Sequence, residues 1–119
     1  MSEHPLADPE LEVTPDDVQR RLDAGEVQVI DVREDYEWDA GRIPGDVRHL
    51  ALEHLSAQAA TIDKDKPVVF QCRLGSRSLM AAQAFRRAGY DAYSLAGGLQ
   101  AWHDAGLPLD PPDGTVADH

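Results

Sequence analysis

The chain of 119 residues carries 22 acidic and 11 basic side chains, which gives a formal net charge of -11 at pH 7. This length fits one domain with its own core, and the acidic balance argues against nucleic acid or an anionic membrane surface as a partner. A single cysteine excludes an intrachain disulfide. Because the sequence shows neither a long apolar segment nor a signal-peptide pattern, we expect a cytoplasmic protein.

The first half of the chain predicts helices and strands in alternation. Residues 1–10 contain two prolines and little apolar content, which predicts a flexible arm. Thr14 and Pro15, followed by two acids, are typical of a helix start, and Gly25 ends that helix. The elements that follow are a strand over 27–33, a short helix over 34–41, a turn at Pro44-Gly45, a strand over 47–50 and a helix over 52–62.

Two sets of side chains in the chain have simple structural interpretations. Asp35, Glu37 and Asp39 are interpreted as the solvated face of the short helix. Trp38 and Trp102 are interpreted as core anchors rather than ligand platforms.

The second half of the chain continues this alternation of strands and helices, and the alternation predicts the fold class. It predicts a buried strand from Val68 that ends at Cys72, a helix over 79–89, a strand over 90–95 and a helix over 99–106. Such alternation favours an α/β fold with three layers, α/β/α, around a mostly parallel sheet. The predicted domain covers residues 11–109, and residues 110–119 are expected to form a mobile, disordered acidic tail.

Cys72 lies where a strand passes into a helix, at the sheet edge where such folds bind ligands. A loop from Arg73 to Arg77 would aim backbone amides at the sulfur, with Gly75 supplying a turn conformation. These amides, the helix N-terminus and the two cations favour a reactive thiolate. Alternatively, Cys72 is simply a small buried core residue, which is the commonest role of a free cysteine.

The spacing of the histidines, the cysteine and the serines does not support a metal site or a serine nucleophile. The five histidines form no i,i+4 pair, and one cysteine gives no zinc pattern. No serine lies in a nucleophile elbow. We therefore expect no metal and no cofactor.

Three segments together resemble the rhodanese family of sulfurtransferases over most of residues 14–109. They are the stretch from Val29 to Gly45, the loop Cys72-Arg73-Leu74-Gly75-Ser76-Arg77-Ser78, and the stretch from Ala96 to Trp102. The chain departs from the family pattern at Arg42, where histidine is frequent, and at Asp46, where a small residue is usual. Both positions lie outside the loop, so they bear on surface or partner contacts.

The resemblance implies that a Cys72 thiolate takes sulfur from thiosulfate or a persulfide donor and holds it as a persulfide. A thiol or cyanide, or a protein acceptor, would then remove the sulfur. Arg73 and Arg77 would bind the oxyanion end of the donor or shape the loop. Asp31 and Arg33 would brace the loop by hydrogen bonds, or form a structural ion pair or a helix cap. The loop residues implied in substrate binding are Arg73, Leu74, Gly75, Ser76, Arg77 and Ser78.

Two alternatives remain for the function. Phosphatases and arsenate reductases with a related cysteine loop place one more residue between cysteine and arginine than the four found here, Arg73 to Ser76. A noncatalytic rhodanese-like module would dock partners or sense redox state, and such modules often lack the cysteine.

Overall fold

The computed structural model describes residues 9–119 and contains one five-stranded sheet. Its strands are β1 (Glu12–Val13), β2 (Gln28–Asp31), β3 (Val47–His49), β4 (Val68–Gln71) and β5 (Ala92–Leu95). Its helices are α1 (Pro15–Asp23), α2 (Asp35–Ala40), α3 (Leu52–Leu55), α4 (Ser76–Arg87) and α5 (Gly98–Asp104). Throughout the described part of the chain, no helix combines the length and the apolar character that crossing a bilayer requires.

The sheet has the order β1-β5-β4-β2-β3, and every neighbouring pair of strands is parallel. Val68 and Phe70 of β4 face a core shared with α3 and α4. Val69 points to the opposite core, where it joins Val18 of α1 and Trp102 of α5. Because successive side chains of a strand alternate between faces, helices cover the sheet on both sides. This confirms the predicted three-layer α/β/α class.

The order of the strands determines where on the sheet the site lies. From β2 the chain continues to β3 on one side, whereas from β4 it continues to β5 on the other. Ligands of open α/β sheets bind at such a switch point, beyond the carboxyl ends of the strands. Cys72 follows β4 and Arg33 follows β2, so both lie at this edge.

Two local predictions differ from the structure. The helix expected over 52–62 is broken into α3 and a 3-10 turn at Ala59–Thr61. Of the residues in that stretch, only Leu55 and Ile62 are buried. Because these two side chains are the ones that the core buries, the residues between them do not need to form a continuous helix. The strand β1 was not predicted, because its two residues are too few to show a periodic pattern.

The two tryptophans lie in different environments. Trp102 is fully buried, as predicted, and its Nε1 donates to the Pro108 carbonyl at 2.7 Å. Trp38 is half-buried, so the expectation of a core anchor is wrong there. Its ring stacks on His49 at 4.9 Å between centroids, and Arg42 lies over it at 5.1 Å.

The sequence predicts flexible segments at both ends of the chain. Most of the flexible arm predicted over residues 1–10 lies outside the described residues. At the other end, the segment expected to be mobile makes backbone hydrogen bonds: Asp110 pairs with Arg42, and Thr115 N donates to the Ala40 carbonyl at 2.8 Å. Val116 packs against the core that contains Trp102.

The start of α5 rests directly on the backbone that carries Cys72. Leu99 N donates to the Cys72 carbonyl at 2.8 Å, and Gln100 N donates to the Arg73 carbonyl at 3.0 Å. A Cβ atom on Gly98 would lie 2.5 Å from the Arg73 carbonyl and would also collide with the Cys72 carbonyl. Only glycine therefore allows this close contact.

We predict that Gly98→Ala destabilises the protein by about 3 kcal/mol or more, because backbone strain at positive φ adds to a backbone collision. The matched control is Gly106→Ala, where φ is +78° but no atom lies within 4 Å of the added Cβ. Strain alone should cost about 1–2 kcal/mol there. Urea unfolding measures both, and equal losses for the two variants would contradict the proposed contact.

Candidate active site

Cys72 lies at the end of β4 with its sulfur enclosed by the loop that follows. The residue is 1% exposed. Its Sγ accepts a hydrogen bond from Gly75 N at 3.1 Å and another from Ser78 N at 3.4 Å. Ser78 belongs to the first turn of α4, where amides lack helical partners and the helix dipole is positive. Gly75 N belongs to the predicted loop from Arg73 to Arg77, and Ser78 N lies one residue beyond it. Together the two amides stabilise negative charge on the sulfur.

Gly75 provides the turn that closes this loop. Its φ is +104°, a conformation that residues with a side chain rarely adopt. A Cβ on Gly75 would also lie 3.3 Å from Gly97 N, in the loop before α5. The loop is thus confined between the sulfur on one side and the chain before α5 on the other.

A pair of buried serines extends the contacts of the sulfur. The Ser78 hydroxyl lies 3.4 Å from Sγ, donates to the Gly75 carbonyl at 3.2 Å, and is 2.7 Å from the Ser94 hydroxyl. Because a hydroxyl rotates, Ser78 can accept from the thiol or donate to a thiolate. Ser94, on β5, was not singled out from the sequence, since nothing in its local pattern distinguishes it.

Arg77 is held by a carboxylate and does not stand free beside Cys72. Its Nη1 and Nη2 donate to the two carboxylate oxygens of Glu37, at 2.9 and 3.0 Å. Glu37 is fully buried, so its assignment to the solvated face of α2 is wrong, whereas Asp35 and Asp39 are exposed as expected. The Arg77 side chain is only 16% exposed, so the pair is largely buried. The pair links α4 to α2, and the shaping of the loop by Arg77 stays a prediction.

The pair shifts the protonation of both partners. Burial by itself raises the pKa of Glu37, but the hydrogen bonds from Arg77 and from the Glu34 amide outweigh it, and the pKa is lowered overall. Burial likewise lowers the pKa of Arg77, and the Glu37 carboxylate reverses this to a net rise. Both groups are therefore charged at neutral pH.

Arg73 meets a different carboxylate, at the mouth of the loop. Its Nη2 lies 3.1 Å from Asp118 Oδ1, and its buried Nε has no hydrogen-bond partner within residues 9–119. Leu74 is 56% exposed beside it, and Ser76 begins α4. Asp118 lies in the segment expected to be disordered, and no pattern in the sequence indicates this contact.

Asp31 and Arg33 form a buried ion pair at the end of β2. Arg33 Nε and Nη2 donate to the Asp31 carboxylate at 2.9 and 2.8 Å, and Nη2 also donates to the Gly41 carbonyl at 2.8 Å. Gln71, the last residue of β4, donates to Asp31 at 2.8 Å. The pair joins the two strands that carry the site, and it reaches Cys72 through Gln71. Its support of the loop stays a prediction.

The described residues hold no group of three or more His, Cys, Asp or Glu placed to bind a metal ion. At the edge of the sheet that carries Cys72, the structure places one enclosed thiol with amide and hydroxyl groups around it.

The chain is similar to known proteins in sequence and in fold. The family model described as a rhodanese-like domain matches residues 14–105. A thiosulfate sulfurtransferase of Shewanella oneidensis is 38% identical over 86 residues, which cover 70% of this chain and 82% of that protein. The crystal structure of a rhodanese-related protein from Thermoplasma volcanium has a TM-score of 0.76 at 24% identity, covering 82% of this chain and 95% of that one.

A further relative is a larger protein. An HTH-type transcriptional regulator of Mycobacterium tuberculosis is 37% identical over 108 residues, which cover 88% of this chain. The chain spans about half of the regulator's length, 47%.

We predict that Glu37→Ala lowers the free energy of unfolding by about 3 kcal/mol, because it leaves the Arg77 charge desolvated without its partner. Asp39→Ala is the matched control: it removes the same charge from an exposed position of the same helix and should change stability by about 0.5 kcal/mol or less. Chemical denaturation measures both. Similar losses in the two variants would contradict a special role for the buried pair.

The same pair predicts a dependence of stability on pH. Because the pKa of Glu37 is lowered in the folded protein, its contribution is fully present above its unfolded pKa of about 4.3. That contribution is lost as the pH falls through the folded value. Stability of the wild-type protein should therefore fall more steeply on acidification than that of Glu37→Gln, and parallel curves would be inconsistent with this assignment.

Proposed function

The chain belongs to the rhodanese-like family of sulfurtransferases, and from that membership we propose that it carries sulfane sulfur as a persulfide on Cys72. The observation that supports this most is the loop geometry, in which Gly75 N and Ser78 N both donate to Sγ within 3.4 Å. Donors fixed in advance where negative charge develops stabilise the reacting thiolate without reorganisation.

In the first half-reaction, the Cys72 thiolate attacks the outer sulfur of thiosulfate. A new sulfur–sulfur bond forms to Sγ, and the original bond of thiosulfate breaks. Sulfite leaves with the bonding electron pair. The product is the Cys72 persulfide anion, whose charge the loop amides of 73–78 would stabilise as they stabilise the thiolate.

In the second half-reaction, a nucleophilic acceptor such as cyanide or a thiolate attacks the outer sulfur. The bond to Sγ breaks, and Cys72 is regenerated as the thiolate. With cyanide the product is thiocyanate, and no external oxidant or reductant is needed. Since the chain has one cysteine, no second thiol can resolve the persulfide within it.

The substrate class rests on family membership and on the chemistry of the loop. Thiosulfate is proposed as the donor because a relative from Shewanella oneidensis is named for it, and a persulfide donor would serve the same step. The acceptor is proposed to be cyanide, a small thiol or a protein thiol. A cytoplasmic location would keep the single Cys72 thiol reduced between turnovers.

The size of the loop favours sulfur transfer over phosphate-ester hydrolysis. Four residues separate Cys72 from Arg77, and Arg77 is turned toward Glu37 at 2.9 Å. Attack on a phosphate ester would place the tetrahedral phosphorus itself beside Sγ, with room and a guanidinium directed at it, whereas attack on thiosulfate brings only its outer sulfur to Sγ. The enclosure around Sγ, 1% exposed as a residue, is better matched to one additional sulfur atom.

We predict that the purified protein forms thiocyanate from thiosulfate and cyanide, and that Cys72→Ala abolishes this activity because it removes the nucleophile. A colorimetric thiocyanate assay measures turnover, and the variant's thermal unfolding shows whether the fold is kept. Wild-type turnover by the alanine variant would refute the assignment. Hydrolysis of a generic aryl phosphate should stay at background, and robust hydrolysis would favour the phosphatase alternative.

A further inference from the structure

The segment 110–118, here called the strap, lies across the chain that joins α2 to β3. Arg42 N donates to the Asp110 carbonyl at 3.1 Å, and Asp110 N returns a hydrogen bond to the Arg42 carbonyl at 2.8 Å. Five residues later, Thr115 N donates to the Ala40 carbonyl at 2.8 Å. These backbone contacts hold the strap in a fixed register beside α2.

Two glycines allow the strap to approach this closely. A Cβ on Gly41 would lie 2.8 Å from Thr115 N and would collide with the Thr115 carbonyl. A Cβ on Gly114 would lie 3.0 Å from the Ala40 carbonyl and 3.1 Å from Gly41 Cα. The anchoring of the strap is therefore steric and backbone-based, and it does not depend on the charges at its end.

Beyond this anchor, the strap reaches the mouth of the Cys72 loop. The Tyr36 hydroxyl donates to the Asp118 carbonyl at 3.0 Å. The Asp118 carboxylate, 95% exposed, lies 3.1 Å from the guanidinium of Arg73, the residue after Cys72. Since Glu37 holds Arg77, both cations of the loop are paired with carboxylates.

We propose that Asp118 is a specificity-determining residue that disfavours small dianionic donors such as thiosulfate at Cys72. This inference rests on the proposed function, which names Cys72 as the sulfur carrier. An oxyanion and the Asp118 carboxylate compete for one guanidinium, and the carboxylate adds a negative charge at the entrance. Donors without a dianionic end leave the contact between Arg73 and Asp118 in place, so they are selected relative to thiosulfate.

The test uses Asp118→Asn with Asp113→Asn as its matched control. Asp113 is an exposed residue of the same strap, so both variants change the net charge equally. For Asp118→Asn, we expect the KM for thiosulfate to fall about two- to five-fold, as for the loss of a solvent-exposed ion pair, with kcat unchanged. Asp113→Asn should leave KM within error of the wild-type value.

A second measurement does not depend on sulfur transfer. Cys72 is the only thiol, so alkylation by anionic iodoacetate and by neutral iodoacetamide reports the potential at one sulfur. The iodoacetate-to-iodoacetamide rate ratio should rise about two- to five-fold in Asp118→Asn at low salt. The difference should shrink at high salt, and Asp113→Asn should show no such rise.

The two measurements separate failure of the inference from failure of the proposed function. A raised alkylation ratio without thiosulfate turnover in any variant would support the role of Asp118 while removing the sulfurtransferase assignment. Three outcomes would overturn the inference. They are equal alkylation ratios in the wild-type protein and both variants, equal rises of the ratio in both variants, and no reaction of Cys72 with either reagent.

Discussion

The site depends on the contact between the start of α5 and the backbone at Cys72. Leu99 N and Gln100 N donate to the carbonyls of Cys72 and Arg73, and Gly98 has no Cβ to hold the two chains apart. With its carbonyls fixed from one side, the loop directs its amides to the other side, toward Sγ. The sulfur thus receives hydrogen bonds from Gly75 N and Ser78 N without relying on any flexible side chain.

Both arginines of the loop have a carboxylate partner. In a protein with a formal net charge of -11, Arg77 is paired with buried Glu37 and Arg73 with exposed Asp118. The hydrogen bonds of Arg77 to buried Glu37 are bidentate, so this pair holds α4 against α2. Arg73 can exchange partners, because an exposed ion pair is weak. The amides at Sγ and the N-terminus of α4 attract negative charge to Cys72.

The fold class and the position of Cys72 could be predicted because local patterns determine them. Short stretches of sequence are enough to specify the strand, the loop and the helices. These are the apolar run of β4, Gly75 in the loop after Cys72, and the glycines that end the helices. Glu37 could not be found in this way. It alternates with Asp35 and Asp39, and only its contact with Arg77, 40 positions along the chain, distinguishes it. Asp118 was missed because the strap is held by close backbone contacts at Gly41 and Gly114, which hydrophobic periodicity does not reveal.

The central claim is that Cys72 carries sulfur, and intact-mass analysis after incubation with thiosulfate tests it most directly. The wild-type protein should become heavier by one sulfur atom, and cyanide should restore the original mass. Cys72→Ser should show no adduct. With the fold intact, a wild-type protein that never gains sulfur from thiosulfate or a persulfide donor would contradict the account. It would favour a noncatalytic module that docks partners or senses redox state.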